Sequence, residues 1–184
     1  MPGLFLYHCP MNYVPPAVKI TRLRSAPRLR AAARLMAACD PWKKLGLTAE
    51  RCAKTIQAPF NENYQATVRS HFAGLATIAM HGTFRGYIQA LFVAEGFRGT
   101  GVGERLLRAA EARIFRSSPN VFLCVSSFNK GAIRFYKRMG YRKAGLLKDF
   151  VKAGHDEILM RKTRGPLIRT GRGTKAAARR ARPV

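Results

Sequence analysis

A chain of 184 residues and 20.5 kDa has the size of one domain with tails, not of two independent cores. Its 47% hydrophobic and 10% aromatic content supplies a sizeable core and excludes wholesale disorder. The formal charge of +25 leaves two readings open, an anionic partner such as RNA or an Arg-rich solvated surface.

The opening segment, residues 1–16, lacks a basic n-region and a small-residue cleavage site. It reads as a flexible segment without a signal peptide, in which Met11 is an alternative start. Val18 to Thr21 is expected to form a first strand. Residues 25–38 follow as a helix, with Ser25 as its cap and Leu29, Ala32, Ala33, Leu35 and Met36 at helical spacing. Asp40-Pro41-Trp42 ends that helix, Thr48 caps a second over Ala49 to Ile56, and Asn61 to Asn63 mark a turn. Three extended segments, Tyr64 to Arg69, Phe72 to Met80 and Tyr87 to Val93, suggest an antiparallel meander. A helix from Gly101 to about Arg116 carries Val102, Leu106, Leu107, Ala110 and Ile114 inward, with Arg105, Arg108 and Glu111 outward. Val121 to Val125 reads as a buried strand, Asn129 as the cap of a helix that Gly140 ends, and Tyr141 to Leu146 and Glu157 to Lys162 as two last strands.

No uninterrupted apolar run of about 18 residues is present, which argues against a membrane span. Cys9, Cys39, Cys52 and Cys124 show neither a C-x-x-C pair nor zinc-site spacing. Reduced thiols, no metal and a cytoplasmic location are the expectation. Nine basic residues and no acid lie after Met160, and residues 164–184 read as a basic, disordered tail.

The densest chemical signal is Leu91-Phe92-Val93 followed by Arg98-Gly99-Thr100-Gly101-Val102-Gly103 and an amphipathic helix. Glycines there let a ligand approach the backbone, and the first N–H groups of the helix have no internal partner, so the turn suits a pyrophosphate. The alternative is a tight structural turn. A nucleotide-hydrolysing loop is excluded by the missing G-K-[ST], and G-x-G-x-G after a meander does not fit a dinucleotide fingerprint.

With R-x-x-G-x-G at Arg98 to Gly103, and Asn129 to Tyr141 matching N-x-x-A-x-x-x-Y-x-x-x-G-[FY], the chain resembles the GNAT superfamily of acetyl-CoA-dependent N-acetyltransferases over residues 17–163. The resemblance implies an α+β fold: a mixed, mostly antiparallel sheet of six to seven strands flanked by about four helices, with a CoA cleft between the fourth and fifth strands. It implies that the backbone of Leu91, Phe92 and Val93 pairs with the pantetheine arm. The amides of Arg98, Gly99, Thr100, Gly101, Val102 and Gly103 would then hold the pyrophosphate, Asn129 would bond the pantetheine, and Tyr136 would be the catalytic general acid beside the sulfur. By spacing alone, Tyr136 is equally a core-filling residue of a helix face.

The run His155 to Met160 and the Pro41-Trp42 pair are similar to enzymes that acetylate the N-terminal amine of a ribosomal protein. Where those relatives carry a glutamate base, twelve residues before the tyrosine, Cys124 stands here. Weaker candidates are Glu95, close to the phosphate loop and also readable as a solvated charge, His71 and His81, at strand ends and also readable as surface residues, and Tyr87, on the acceptor side or in the core; a water chain is a further route for the proton. The expected activity is therefore acetyl transfer from acetyl-CoA to a primary amine, on a protein N-terminus or a small molecule, by direct attack in a ternary complex. The alternative is a GNAT-fold module that docks RNA or a ribosome through its basic surface and tail. A monomer or homodimer without membrane attachment is expected in either case.

Overall fold

The computed structural model describes residues 17–168, so both terminal segments read above lie outside the described residues except for 164–168. Hydrogen bonding orders seven strands as β1-β2-β3-β4-β5-β7-β6. These are β1 Val18–Arg22, β2 Asn61–Val68, β3 His71–Ala79, β4 Tyr87–Val93, β5 Asn120–Ser126, β6 Arg142–Lys152 and β7 His155–Thr163. The helices are α1 Ala26–Ala37, α2 Trp42–Leu45, α3 Ala49–Ile56, α4 Val102–Ile114 and α5 Lys130–Arg138. The sheet is mixed. β4 and β5 run parallel, while β1 with β2, β5 with β7 and β6 with β7 are antiparallel. The expected α+β architecture is present, with seven strands. No described helix is long and apolar enough to cross a membrane.

The chain divides into two compact units. Among the described residues the first comprises 17–78 and 89–110, and the second 79–88 and 111–168. The first unit packs the apolar face of α1 (Leu29, Ala32, Ala33, Met36) against Cys52 and Ile56 of α3 and against Leu75, Ala90 and Phe92 of the sheet. Thr48 caps α3 by accepting from the Arg51 N–H at 3.2 Å, as its position before the helix predicts. Ser25 occupies the N-cap of α1 without a side-chain cap bond. After Pro41 the chain makes one further helical turn, α2, closed by Gly46 at φ +74°, which the Asp40-Pro41 break hides.

One expected turn is a strand. Asn61 to Asn63 open β2, and Asn63 can be buried because both its amide nitrogen and its amide oxygen are paired. It donates to the Ile56 carbonyl at 2.8 Å and accepts from the Thr77 hydroxyl at 2.6 Å. An asparagine so paired loses the cost that ordinarily keeps it at the surface.

In the second unit, β7 lies between β5 and β6, pairing Ser126 with Glu157 on one side and Leu147 with Glu157 on the other. Glu111 of α4, expected to face outward, is buried at 6% exposure. The Lys162 ammonium donates to it at 2.7 Å, a compensation from a distant strand that the helical pattern cannot show. Arg164 continues past β7, donating its N–H to the Pro119 carbonyl and stacking its guanidinium 4.0 Å from the Phe115 ring centroid.

Candidate active site

In the first unit, β4 ends at Val93 and a 3-10 turn, Glu95–Phe97, leads into the glycine-rich run. The Ala94 N–H donates to the Ala73 carbonyl at 2.9 Å, and the Thr100 hydroxyl to the Phe97 carbonyl at 2.7 Å, which fixes the turn from within. Gly99 and Gly101 take φ +77° and +85°, conformations that favour glycine, and a Cβ at either would meet nothing within 4 Å. These glycines therefore serve the backbone path and leave the space above it open. The first intrahelical bond of α4 runs from the Arg105 N–H to the Gly101 carbonyl, so the preceding N–H groups have no partner inside the helix. Gly74 explains how α4 comes so close to the sheet. A Cβ there would lie 2.5 Å from the Phe92 carbonyl oxygen and 2.9 Å from Leu106 Cδ1.

The predicted strand residues divide by role. Phe92 is buried between Trp42 and Phe72, ring centroids 5.9 and 6.4 Å away, so only its backbone is available to a ligand. Leu91 and Val93 are half-buried, and the Arg98 side chain reaches back to the Val93 carbonyl at 3.4 Å. Arg98, Gly99, Thr100 and Gly101 are exposed and Gly103 half-buried, whereas the Val102 side chain is fully buried and anchors the helix start. Glu95 and His71 are exposed residues of this unit. Positive charge is also at hand on the outer face of α4, where Arg105 is exposed and Arg108 pairs with Glu104 at 2.8 Å.

In the second unit, Asn129 caps α5, its side-chain oxygen accepting from the Ala132 N–H at 3.1 Å. The cap leaves the side-chain NH₂ as a donor for a ligand. At the other end of α5, the Gly140 N–H donates to the Lys137 carbonyl and the Tyr141 N–H to the Tyr136 carbonyl, both at 3.0 Å, with Gly140 at φ +89°. This is a Schellman closure, and its apolar contact is the edge-on packing of Tyr136 and Tyr141, centroids 5.7 Å apart. Tyr136 is 8% exposed, and burial pushes its phenol above the usual tyrosine range, keeping it protonated.

A second group lines one face of the β4-β5-β7 ladder. The pairings Tyr87 with Phe122, Cys124 with Leu159 and Ser126 with Glu157 place Tyr87, Cys124, Ser126 and Glu157 on the same side. Burial pushes the Tyr87 phenol up, and its hydrogen bond to Cys124 adds to the shift. Burial likewise raises the Cys124 thiol, which is half-buried and a neutral acceptor for that bond. The Ser126 hydroxyl donates to a Glu157 carboxylate oxygen at 2.5 Å. Burial raises the Glu157 carboxyl, while Ser126 and His155 act in the opposite direction. His81 is exposed on the segment before β4. Glu157 and Ser126 are the residues of this group that the sequence reading did not single out. An acid directly before the apolar run Ile158-Leu159-Met160 of β7 is the available signal.

The mixed seven-stranded sheet, the open glycine turn at the start of α4 and the Asn-capped, tyrosine-bearing α5 define the class of fold. The chain belongs to the Acetyltransferase (GNAT) family, which matches residues 29–141. An uncharacterized N-acetyltransferase of Methanocaldococcus jannaschii is 41% identical over 91 residues, 46% of this chain and 58% of that protein. The N-alpha-acetyltransferase RimI of Mycobacterium tuberculosis is 28% identical over 137 residues, 72% of this chain and 82% of that protein. The chain spans about half the length of some curated relatives it matches, including 48% of an N-alpha-acetyltransferase of Arabidopsis thaliana. Among solved structures, the ribosomal-protein-S18-alanine N-acetyltransferase of Escherichia coli superposes with a TM-score of 0.66 at 18% identity, over 85% of this chain and 98% of that one. An aminoglycoside 6'-N-acetyltransferase complexed with coenzyme A gives 0.64 at 16% identity, over 80% and 98%. At such identities the likeness is one of fold.

Proposed function

We propose that this protein transfers the acetyl group of acetyl-CoA to a primary amine by direct attack in a ternary complex, with a protein N-terminal amine as the acceptor class. The observation that carries the reading is the start of α4. It offers unpartnered N–H groups beside two positive-φ glycines whose outer side is open, which fits a pyrophosphate. Arg98 and Arg105 add positive charge for the pyrophosphate and ribose phosphate of CoA. When bound, acetyl-CoA supplies an activated acyl group.

The residues of the chain do the rest. The backbone of Leu91 to Val93 aligns the pantetheine as an added strand and gives an N–H to the thioester oxygen. Asn129 holds the arm through its side-chain NH₂. Tyr136 gives its proton to the departing sulfur. Burial keeps that phenol protonated, so the proton is in place to be given. The lean toward an N-terminal amine follows from its reference pKa of about 7.7 to 8.0, against about 10.4 for lysine, since less base strength is needed to expose its lone pair. The relatives named for N-alpha acetylation point the same way.

The test is thiol release from acetyl-CoA over a panel of peptides with free N-termini, N-blocked lysine peptides, polyamines and aminoglycosides. Turnover confined to free N-termini supports the reading. Turnover confined to aminoglycosides or polyamines moves the acceptor to a small molecule. Salt-sensitive RNA binding without thiol release replaces the enzyme by a docking module.

A further inference from the structure

Glu157 is a carboxylate that this mechanism leaves unused. It is 4% exposed on β7, which has a strand on either side, in a chain with only nine acidic residues. Burying an ionisable group there costs stability, and a fold that needed only packing at this position would be served by an apolar side chain. Its surroundings do not neutralise it. Tyr87 of β4 and the Cys124 thiol of β5 face it as uncharged groups, Leu147 of β6 is apolar, and Ser126 of β5 donates to one carboxylate oxygen. His155, two residues back on β7 and packed on the Phe128 ring at 5.4 Å, acts on it electrostatically in favour of the charged form. Lys162 and Glu111, a charged pair of the same unit, are bound to each other.

We propose that Glu157 is the general base of the acetyl transfer, taking a proton from the acceptor's ammonium across a face shared with Tyr87, Cys124 and Ser126. The proposal rests on the acetyltransferase reading and assigns its acceptor side. One proton of the ammonium passes to the Glu157 carboxylate, freeing the nitrogen lone pair. The nitrogen bonds to the thioester carbonyl carbon as the carbon–sulfur bond breaks. A second proton from the nitrogen ends on the sulfur by way of the Tyr136 phenol, and Glu157 returns its own proton to water. The net change is one amide, one free thiol and one released proton. Burial suits the role, since a carboxyl above its ordinary range is a stronger base toward an amine near pH 8. A buried negative charge also favours a cationic acceptor that the +25 surface repels.

The experiment measures kcat/KM for thiol release against pH, with acetyl-CoA and a free-N-terminal peptide, for the full chain and for Glu157→Gln and Ser126→Ala, with acetyl-CoA affinity measured in parallel. Glu157→Gln should lower kcat/KM about 10²- to 10⁴-fold at neutral pH, leave acetyl-CoA affinity intact and remove the carboxylate limb of the pH profile. Ser126→Ala keeps the base but removes a bond that stabilises its charged form, so the limb moves to higher pH. A Glu157→Gln enzyme that binds acetyl-CoA and keeps the rate and profile of the parent overturns the base assignment and leaves the acetyltransferase standing. An unmoved limb in Ser126→Ala overturns it too. A parent chain that releases no thiol with any amine overturns both.

Discussion

Tyr136 and Tyr141 are joined through both backbone and rings. The Tyr141 N–H donates to the Tyr136 carbonyl at 3.0 Å, and the two rings pack edge-on at 5.7 Å. The spacing Y-x-x-x-G-Y is thus a helix closure that fixes where the phenol of Tyr136 stands, and Gly140 at φ +89° makes the closure possible.

Gly140→Ala keeps every side chain but forces a Cβ into that conformation, at a cost of about 1–2 kcal/mol. The nearest atom to the added Cβ is Lys162 Cε at 3.6 Å, so strain and not collision is the cause. Denaturant unfolding should show the loss, together with a fall in kcat and little change in acetyl-CoA affinity.

Gly86 and Gly101 separate packing from binding. A Cβ at Gly86 would lie 2.5 Å from Ile114 Cγ2 and 2.7 Å from the Asn120 carbonyl oxygen, whereas one at Gly101 meets nothing within 4 Å. Both have positive φ. Gly86→Ala is expected to destabilise by about 2 kcal/mol or more through overpacking. Gly101→Ala meets no atom and should cost only about 1–2 kcal/mol of backbone strain, while lowering acetyl-CoA affinity because its side chain enters the open space at the start of α4. Calorimetric unfolding and titration with acetyl-CoA distinguish the two.

The raised Glu157 carboxyl fixes the sign of a pH effect on stability. The folded state holds this proton more tightly than the unfolded chain, so the site is uncharged and costs least at low pH. As pH rises from the ordinary carboxylate range through the higher folded value, the buried group ionises and stability falls. Glu157→Gln should therefore unfold at a higher Tm than the parent at neutral pH, with the gap closing in acid. An equal gap at every pH would point to packing instead.

Removing the Asn129 cap bond tests α5 itself. Asn129→Ala should lose about 1 kcal/mol of stability and also weaken acetyl-CoA binding. Asn129→Ser, which can still cap, should restore the stability but not the affinity.

The features legible in the sequence are those set by neighbouring residues. Thr48 and Asn129 act as caps, Gly140 ends α5 at positive φ, and Gly99 and Gly101 leave open space above the backbone. What escaped depends on distant partners. Asn63 looks like a turn residue until Ile56 and Thr77 satisfy its amide, and Glu111 looks solvent-facing until Lys162 meets it. Glu157 stands beside Ser126 only because β7 pairs with β5 as well as β6, an order that no local pattern encodes. The run around Glu157 marked a resemblance, while its chemistry depended on that pairing.

Acetyl transfer to an amine with Tyr136 as the acid is tested by thiol release with acetyl-CoA and a free-N-terminal peptide, measured for the parent chain and for Tyr136→Phe. Turnover by the parent is expected, with a kcat lower by about 10²-fold or more in the variant and acetyl-CoA affinity unchanged. Equal turnover by the two proteins would contradict it.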